Sequence, residues 1–228
     1  MAELKPSDAA AQGQVLAPAR APRRLALLGG ESSGKTTLAQ ALAETLGTVW
    51  VPEYGRQRWE ELRKTLDRDE LLGVVRRQVE MEDEAAERAR DWLVCDTTPL
   101  TTLQYCLHDH GDAPEALWAL ARRRYDMTLV CLPDFDFVQD GCRRDDGFRA
   151  RQHDWTLARL AELGVAWVGV SGSLDQRVRQ ALAELERVAG LASQPNPAGC
   201  PAGLRVGPQQ AGGQGFDQMT KETLRGNP

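Results

Sequence analysis

The stretch Leu25-Ala26-Leu27-Leu28-Gly29-Gly30-Glu31-Ser32-Ser33-Gly34-Lys35-Thr36-Thr37 decides the fold. Its first four residues are all apolar, as expected of a strand covered on both faces. The next eight match G-x-x-x-x-G-K-[ST]. In that pattern Gly29 and Gly34 let the backbone turn so that successive N–H groups point inward at a phosphate. The following segment, Thr36–Leu46, places Leu38, Leu42 and Leu46 four apart on one helical face, and the start of that helix adds its positive dipole end. Strand, glycine loop and helix are the context a phosphate cradle requires. Gly29, Gly30, Glu31, Ser32, Ser33, Gly34, Lys35, Thr36 and Thr37 are therefore expected to bind the phosphates of a nucleoside triphosphate. Lys35 would reach the β- and γ-phosphates, and the Thr36 hydroxyl would ligate Mg²⁺.

Outward from this loop, short apolar runs alternate with segments of helical period. The expected strands are Leu25–Leu28, Val49–Val51, Trp92–Cys95, Met127–Leu132 and Ala166–Val170; the expected helices include Glu70–Arg90, Ala113–Arg124 and His153–Leu163. Such alternation implies an α/β fold of three layers: a parallel five-stranded sheet with helices on both faces and a short helical lid. Ligands of such sheets bind at the carboxyl ends of the strands. Residues 23–189 form the expected domain. Residues 1–22 are rich in Ala, Gln and Pro, and residues 190–228 hold 8 of the 21 glycines and 5 of the 12 prolines, so both ends are expected to be disordered.

Three further positions fall at the same sheet edge. The third strand ends at Asp96, where a carboxylate can hold the Mg²⁺ shell; no Glu follows it to orient water for hydrolysis, and no N-K-x-D guanine reader occurs in the chain. A strand-end turn or cap is the simpler role for Asp96. The second strand is followed by Pro52-Glu53-Tyr54-Gly55-Arg56. Glu53 could accept a proton from a substrate hydroxyl and Arg56 could neutralise phosphate charge; equally, Glu53 could be a helix-start residue favoured by the dipole, with Arg56 solvated. After the fourth strand, Phe135–Arg151 carries Asp140, Arg143, Arg144, Arg149 and Arg151 around two glycines, which suits a closing lid, or else a solvated mixed-charge face.

The bulk numbers narrow the function classes. A net charge of −5 argues against a general nucleic-acid binder. No apolar run reaches the roughly 18–20 residues of a membrane span. Five scattered cysteines without a C-x-x-C pair suit a reducing compartment, and a cytoplasmic location is expected. His108 and His110 should close a helix before Gly111 rather than bind metal, and Trp118 should be core. Ser171–Ser173 should either face the adenine or serve as a strand-to-helix turn capped by Ser173.

The motifs LLGGESSGKTTLAQAL, PEYGRQ, VCDTTPLTTLQYC and FVQDGCR together resemble the ribosylnicotinamide kinase domain of NadR-type proteins, over roughly residues 24–185. The resemblance implies ATP-dependent phosphorylation of the 5′-hydroxyl of nicotinamide riboside. It places Lys35 and Thr36 at the phosphates and Mg²⁺, Glu53, Tyr54 and Arg56 on the nucleoside side, Asp96 at the reacting centre, and Asp140 and Arg143 in the lid. Lys35, Glu53, Asp96 and Arg143 are the expected catalytic set, with either Glu53 or Asp96 orienting the hydroxyl. Two departures stand out. Pro52 occupies a position that is aromatic in some family members, and Gln78–Arg90 lacks tyrosines. That leaves Tyr54, or the acidic run Glu80, Glu82, Asp83 and Glu84, to meet a pyridinium cation. Another nucleoside, or a nucleotide-gated switch with no small-molecule acceptor, are the alternatives.

Overall fold

The computed structural model describes residues 21–141 and 143–193. The tails expected to be disordered lie outside these residues, apart from Ala21, Pro22 and 190–193. In chain order the elements are β1 (Arg23–Leu28), α1 (Lys35–Leu46), β2 (Trp50–Val51), α2 (Tyr54–Leu62), α3 (Arg68–Ala86), β3 (Trp92–Asp96), α4 (Pro99–His110), α5 (Glu115–Ala121), β4 (Met127–Cys131), α6 (Asp146–Glu162), β5 (Val168–Val170) and α7 (Leu174–Ser193). All strand pairings are parallel and the sheet order is β2-β3-β1-β4-β5. The expected three-layer, five-stranded parallel fold is the one observed.

Strand period explains the continuous apolar runs. Leu25 and Leu27 of β1, Trp92 and Val94 of β3, and Met127, Leu129 and Cys131 of β4 enter one core cluster with α1 and α7. Leu28 and Val130 point the other way, into a cluster with α3, α4, α5 and α6. Leu93 and Cys95 join Val51 and Ala85 in a third. Successive side chains of a strand face opposite sides, so a strand buried on both is apolar throughout.

α2 begins where Glu53 was weighed as a helix-start residue, and it contains no buried residue. Charged and amide pairs one turn apart hold it instead: Arg56–Glu60, Gln57–Glu61 and Arg58–Glu61. α5 is shorter than expected: it starts at Glu115 with Pro114 at its N-cap and ends at Ala121 with Arg122 as C-cap. His110 does end α4, with Gly111 in the left-handed region at φ 77°. The ring of His110 bonds the carbonyl of Leu66 at 2.8 Å, and Trp118 packs on the second core cluster. Between β4 and α6 the expected lid divides. Its first part is loop, and only from Asp146, capped by the Asp145 side chain, does it become helix.

β1 lies between β3 and β4, so the chain leaves it toward β2 and β3 on one side and later β4 and β5 on the other. Such a switch point opens a crevice at the carboxyl ends of the strands. Among the described residues no helix is long and apolar enough to cross a membrane.

Candidate active site

The loop after β1 takes the strained turns its glycines allow. Gly29 sits at φ 139° and a Cβ there would lie 2.7 Å from the carbonyl oxygen of Cys131. Gly34 is the N-cap of α1 at φ 79°, and no side chain caps that helix end. The amides of the first turn have no intrahelical acceptor and are left for an anion. The ammonium of Lys35 donates to the carbonyls of Gly29 (3.0 Å) and Gly30 (2.8 Å), spanning the loop.

The hydroxyl of Thr36 donates to Oδ2 of Asp96 at 2.6 Å. Asp96 is buried at the end of β3, and its Oδ1 is buried with no hydrogen-bond partner. Burial raises its carboxyl above the ordinary range, against the opposing pull of Lys35, the Thr36 hydroxyl and Arg56. One paired and one unpaired carboxylate oxygen beside a hydroxyl is a donor set that fits a hard divalent cation.

A cavity of about 200 Å³ opens beside this loop, lined by Glu31 through Thr37 on one side and by Glu53, Gly55, Arg56 and Trp59 on another. Glu53 holds the N-cap position of α2, but its side chain makes no capping bond. Its carboxylate therefore faces the cavity rather than the helix end. Burial pushes its pKa up from 4.5 to about 7, with Lys35 lowering it, Asp96 raising it, and Arg56 and Glu31 adding smaller opposite effects.

Tyr54 does not line this cavity. Its N–H donates to Oε1 of Gln78 at 2.9 Å and its ring packs on the second core cluster, because the first turn of α2 aims that position at α3. The acidic run of α3 is elsewhere too. Glu82 is fully buried against Tyr125 and Arg123, while Glu80 and Glu84 pair with Arg77. The aromatic walls are instead Trp59 on α2 and Tyr105 on α4. Thr101, Tyr105 and Asp109 recur every fourth residue and share the cavity side of α4.

Of the lid arginines, Arg143 and Arg144 line the cavity. Arg143 pairs with Asp140 at 3.3 Å, and Asp140 also pairs with Arg56, so the lid is joined to α2. Arg144 pairs with Asp109 and lies over the ring of Phe148. Arg149 is buried, bonding the carbonyl of Phe135 at 2.8 Å, so it braces the loop from behind. Val138 N–H reaches the Ser32 hydroxyl at 2.9 Å, seating the lid on the phosphate loop.

Arg177 of α7 was not anticipated. Only 3% exposed, it donates to the carbonyls of Ser33 (2.8 Å), Leu132 (3.0 Å) and Gly172 (3.0 Å), pairs with Asp134, and lies under the Phe135 ring. It thus ties the phosphate loop to the ends of β4 and β5. Ser173 behaves as a helix cap, its hydroxyl accepting from Gln176 N at 3.4 Å.

The fold, the phosphate loop and the carboxylates at one sheet edge define a P-loop nucleotide-binding α/β domain of the kinase type. More particularly, residues 24–177 match the family model described as "AAA domain", and the chain belongs to that family. It is 30% identical over 129 residues to the trifunctional NAD biosynthesis/regulator protein NadR of Escherichia coli K12, a match covering 53% of this chain and 31% of NadR. The chain thus aligns to about a third of the length of that curated relative. Solved structures share its fold, among them the following two. A NadR protein in complex with NR superposes with TM-score 0.62 at 23% identity, covering 74% of this chain and 52% of that one. Thymidylate kinase from Candida albicans does so at 0.54 and 16%, covering 73% and 92%.

Proposed function

We propose that the protein transfers the γ-phosphoryl group of ATP to the 5′-hydroxyl of nicotinamide riboside, giving nicotinamide mononucleotide and ADP. The observation that carries this reading is Glu53: an uncapped, raised carboxylate in the same cavity as Lys35 and Thr36. A pKa near 7 suits a general base at neutral pH. Asp96 does not line the cavity and is bonded to Thr36, so it serves the phosphate side, and Glu53 takes the hydroxyl proton.

The O5′–P bond forms as the bond from the γ-phosphorus to the β,γ-bridging oxygen breaks, and the proton passes to Glu53. Lys35 and Arg143 meet the charge on the transferring group, and the loop amides hold the β-phosphate. Thr36 and Asp96 would hold Mg²⁺, which when bound neutralises charge on the β- and γ-oxygens. Trp59 and Tyr105 offer faces to a planar ring, and Glu31, Glu53 and Asp109 make the acceptor side acidic, which favours a pyridinium cation. Arg56 pairs with Asp140 and Arg144 with Asp109, which favours an acceptor that carries no phosphate of its own. NadR, whose name records NAD biosynthesis, and its complex with NR support the same acceptor. A cytoplasmic site of action belongs to the proposal, supported by the buried free thiols Cys95, Cys106 and Cys131.

The test is incubation of the purified chain with ATP, Mg²⁺ and a panel of nucleosides, with products resolved by chromatography and mass. Nicotinamide riboside should yield its mononucleotide with matching ADP. Product from another nucleoside alone would replace the acceptor. Slow ATP hydrolysis with no phosphorylated nucleoside would instead mark a nucleotide-gated switch.

A further inference from the structure

Glu31 stands at an unspecified position of the G-x-x-x-x-G-K-[ST] pattern, where a carboxylate beside polyphosphate is electrostatically unfavourable. Its contacts give it a different task. Oε1 accepts from the Tyr105 hydroxyl at 2.8 Å, Oε2 accepts from the backbone N–H of Arg144 at 2.7 Å, and its own N–H donates to Oε1 of Gln152 at 2.7 Å. Gln152 is buried, and its carbonyl accepts from Gln104 Nε2 at 3.0 Å, joining α6 to α4. The loop also lies directly on α6, since a Cβ on Gly30 would sit 2.7 Å from the carbonyl oxygen of Arg149. Tyr105, Arg144 and Gln152 all line the cavity. One residue of the donor loop thus holds an acceptor-side aromatic wall, the base of the lid and α6.

We propose that Glu31 is a positioning residue that couples nucleotide binding at the phosphate loop to the lid base at Arg144 and to the set of the Tyr105 ring. The carboxylate moves with the loop, and both of its oxygens carry a bond to a different element. Fixing the Arg144 backbone also fixes its guanidinium, which reaches Asp109 and lies 4.7 Å from the Phe148 ring centre and 5.8 Å from that of Tyr105. The Tyr105 arm rests on the kinase reading; the loop-to-lid arm rests on nucleotide binding alone.

Hydrogen exchange by mass spectrometry on the full chain, with and without a non-hydrolysable ATP analogue, tests the coupling. In the wild type the analogue should slow exchange both in Gly30–Thr37 and in Arg143–Phe148. Glu31→Ala should keep the loop protection. In that variant Arg143–Phe148 should exchange roughly tenfold faster, the effect of losing a carboxylate-accepted bond, and should no longer respond to the analogue. Glu31→Gln should restore most of the response, because its carbonyl can accept from Arg144 N while its amide donates to the Tyr105 oxygen. A purely structural role would give no such nucleotide-dependent difference and no rescue. Should the Ala variant not fold, Glu31→Asp, one methylene short of spanning both partners, takes its place and should lose the response likewise. A lid segment in Glu31→Ala or Glu31→Asp that responds as in the wild type, or a Gln variant no better than Ala, overturns the proposal. Failure of the kinase reading would show separately, as a wild type that phosphorylates no nucleoside while its exchange pattern still decides the latch.

Discussion

Replacing Glu53 by Gln removes an ionisable oxygen from the cavity at constant volume, and its consequences can be worked from the site. As the proposed general base, Glu53 should contribute about 10²–10⁴ in rate. Its proton is held because burial raises the carboxyl from 4.5 to about 7, and the nearby cation Lys35 offsets that only in part. The base form is therefore about half populated near pH 7, so wild-type kcat/KM should fall below that point, approaching tenfold per pH unit, and level off above it. Coupled measurement of ADP formation from pH 5.5 to 8.5 should show this slope in the wild type, and a flat, much lower profile in Glu53→Gln. Stability should move the opposite way. A raised folded-state pKa means that the folded chain holds the proton more tightly than the unfolded chain. The stabilisation this gives is full below about pH 4.5 and is lost as pH rises to about 7. Above 7 the unprotonated carboxylate should cost up to roughly 3 kcal/mol, so in urea Glu53→Gln should be more stable than wild type at pH 8 and equal to it near pH 4. A wild-type rate independent of pH between 6 and 8, or a Gln variant keeping more than about a tenth of the activity, would refute the assignment.

Glu82 makes a useful contrast. Burial, opposed by Arg123, Tyr125 and Arg24 and reinforced by Asp83, also raises it to about 7, but it lies away from the cavity. Glu82→Gln should flatten the stability loss between about pH 4.5 and 7 while leaving the pH dependence of the rate unchanged, as urea titrations and kinetics across pH would show. Arg177→Met strips three carbonyls and Asp134 of a buried partner and should cost about 3–5 kcal/mol in urea unfolding. Gly29→Ala forces a Cβ to 2.7 Å from the Cys131 carbonyl at φ 139°. It should weaken binding of an ATP analogue at least tenfold by calorimetry, through strain on the order of 2 kcal/mol. Lys35→Ala should lower kcat by about 10³ or more with the fold intact by circular dichroism.

The parts of the site that were legible in advance are those set by strand ends. Lys35, Thr36 and Asp96 follow buried apolar runs whose direction in a parallel sheet places them at one edge, and the structure brings them near Glu53. The proposed acceptor side was not legible in the same way, because it stands on helices whose phase the local pattern does not announce. α2 has no apolar stripe, so nothing indicated that Tyr54 would face α3 while Gly55, Arg56 and Trp59 would face the cavity. Pro52 removes an aromatic side chain beside Glu53, whereas the rings that line the cavity are Trp59 and Tyr105. The signal that could have located another was the four-residue recurrence of Thr101, Tyr105 and Asp109 after the third strand. On a helix starting at Pro99, with Thr98 as its cap, that spacing sets a ring and a carboxylate one turn apart on a single face. Glu31 was hidden for a different reason: in the phosphate-loop pattern its position is unspecified. Its meaning comes from Tyr105, Arg144 and Gln152, residues 74, 113 and 121 positions away, which only the folded chain brings to its oxygens and its amide. The phosphate half of such a site is written locally, whereas the proposed acceptor half depends on long-range contacts, and Glu31 makes contacts to both.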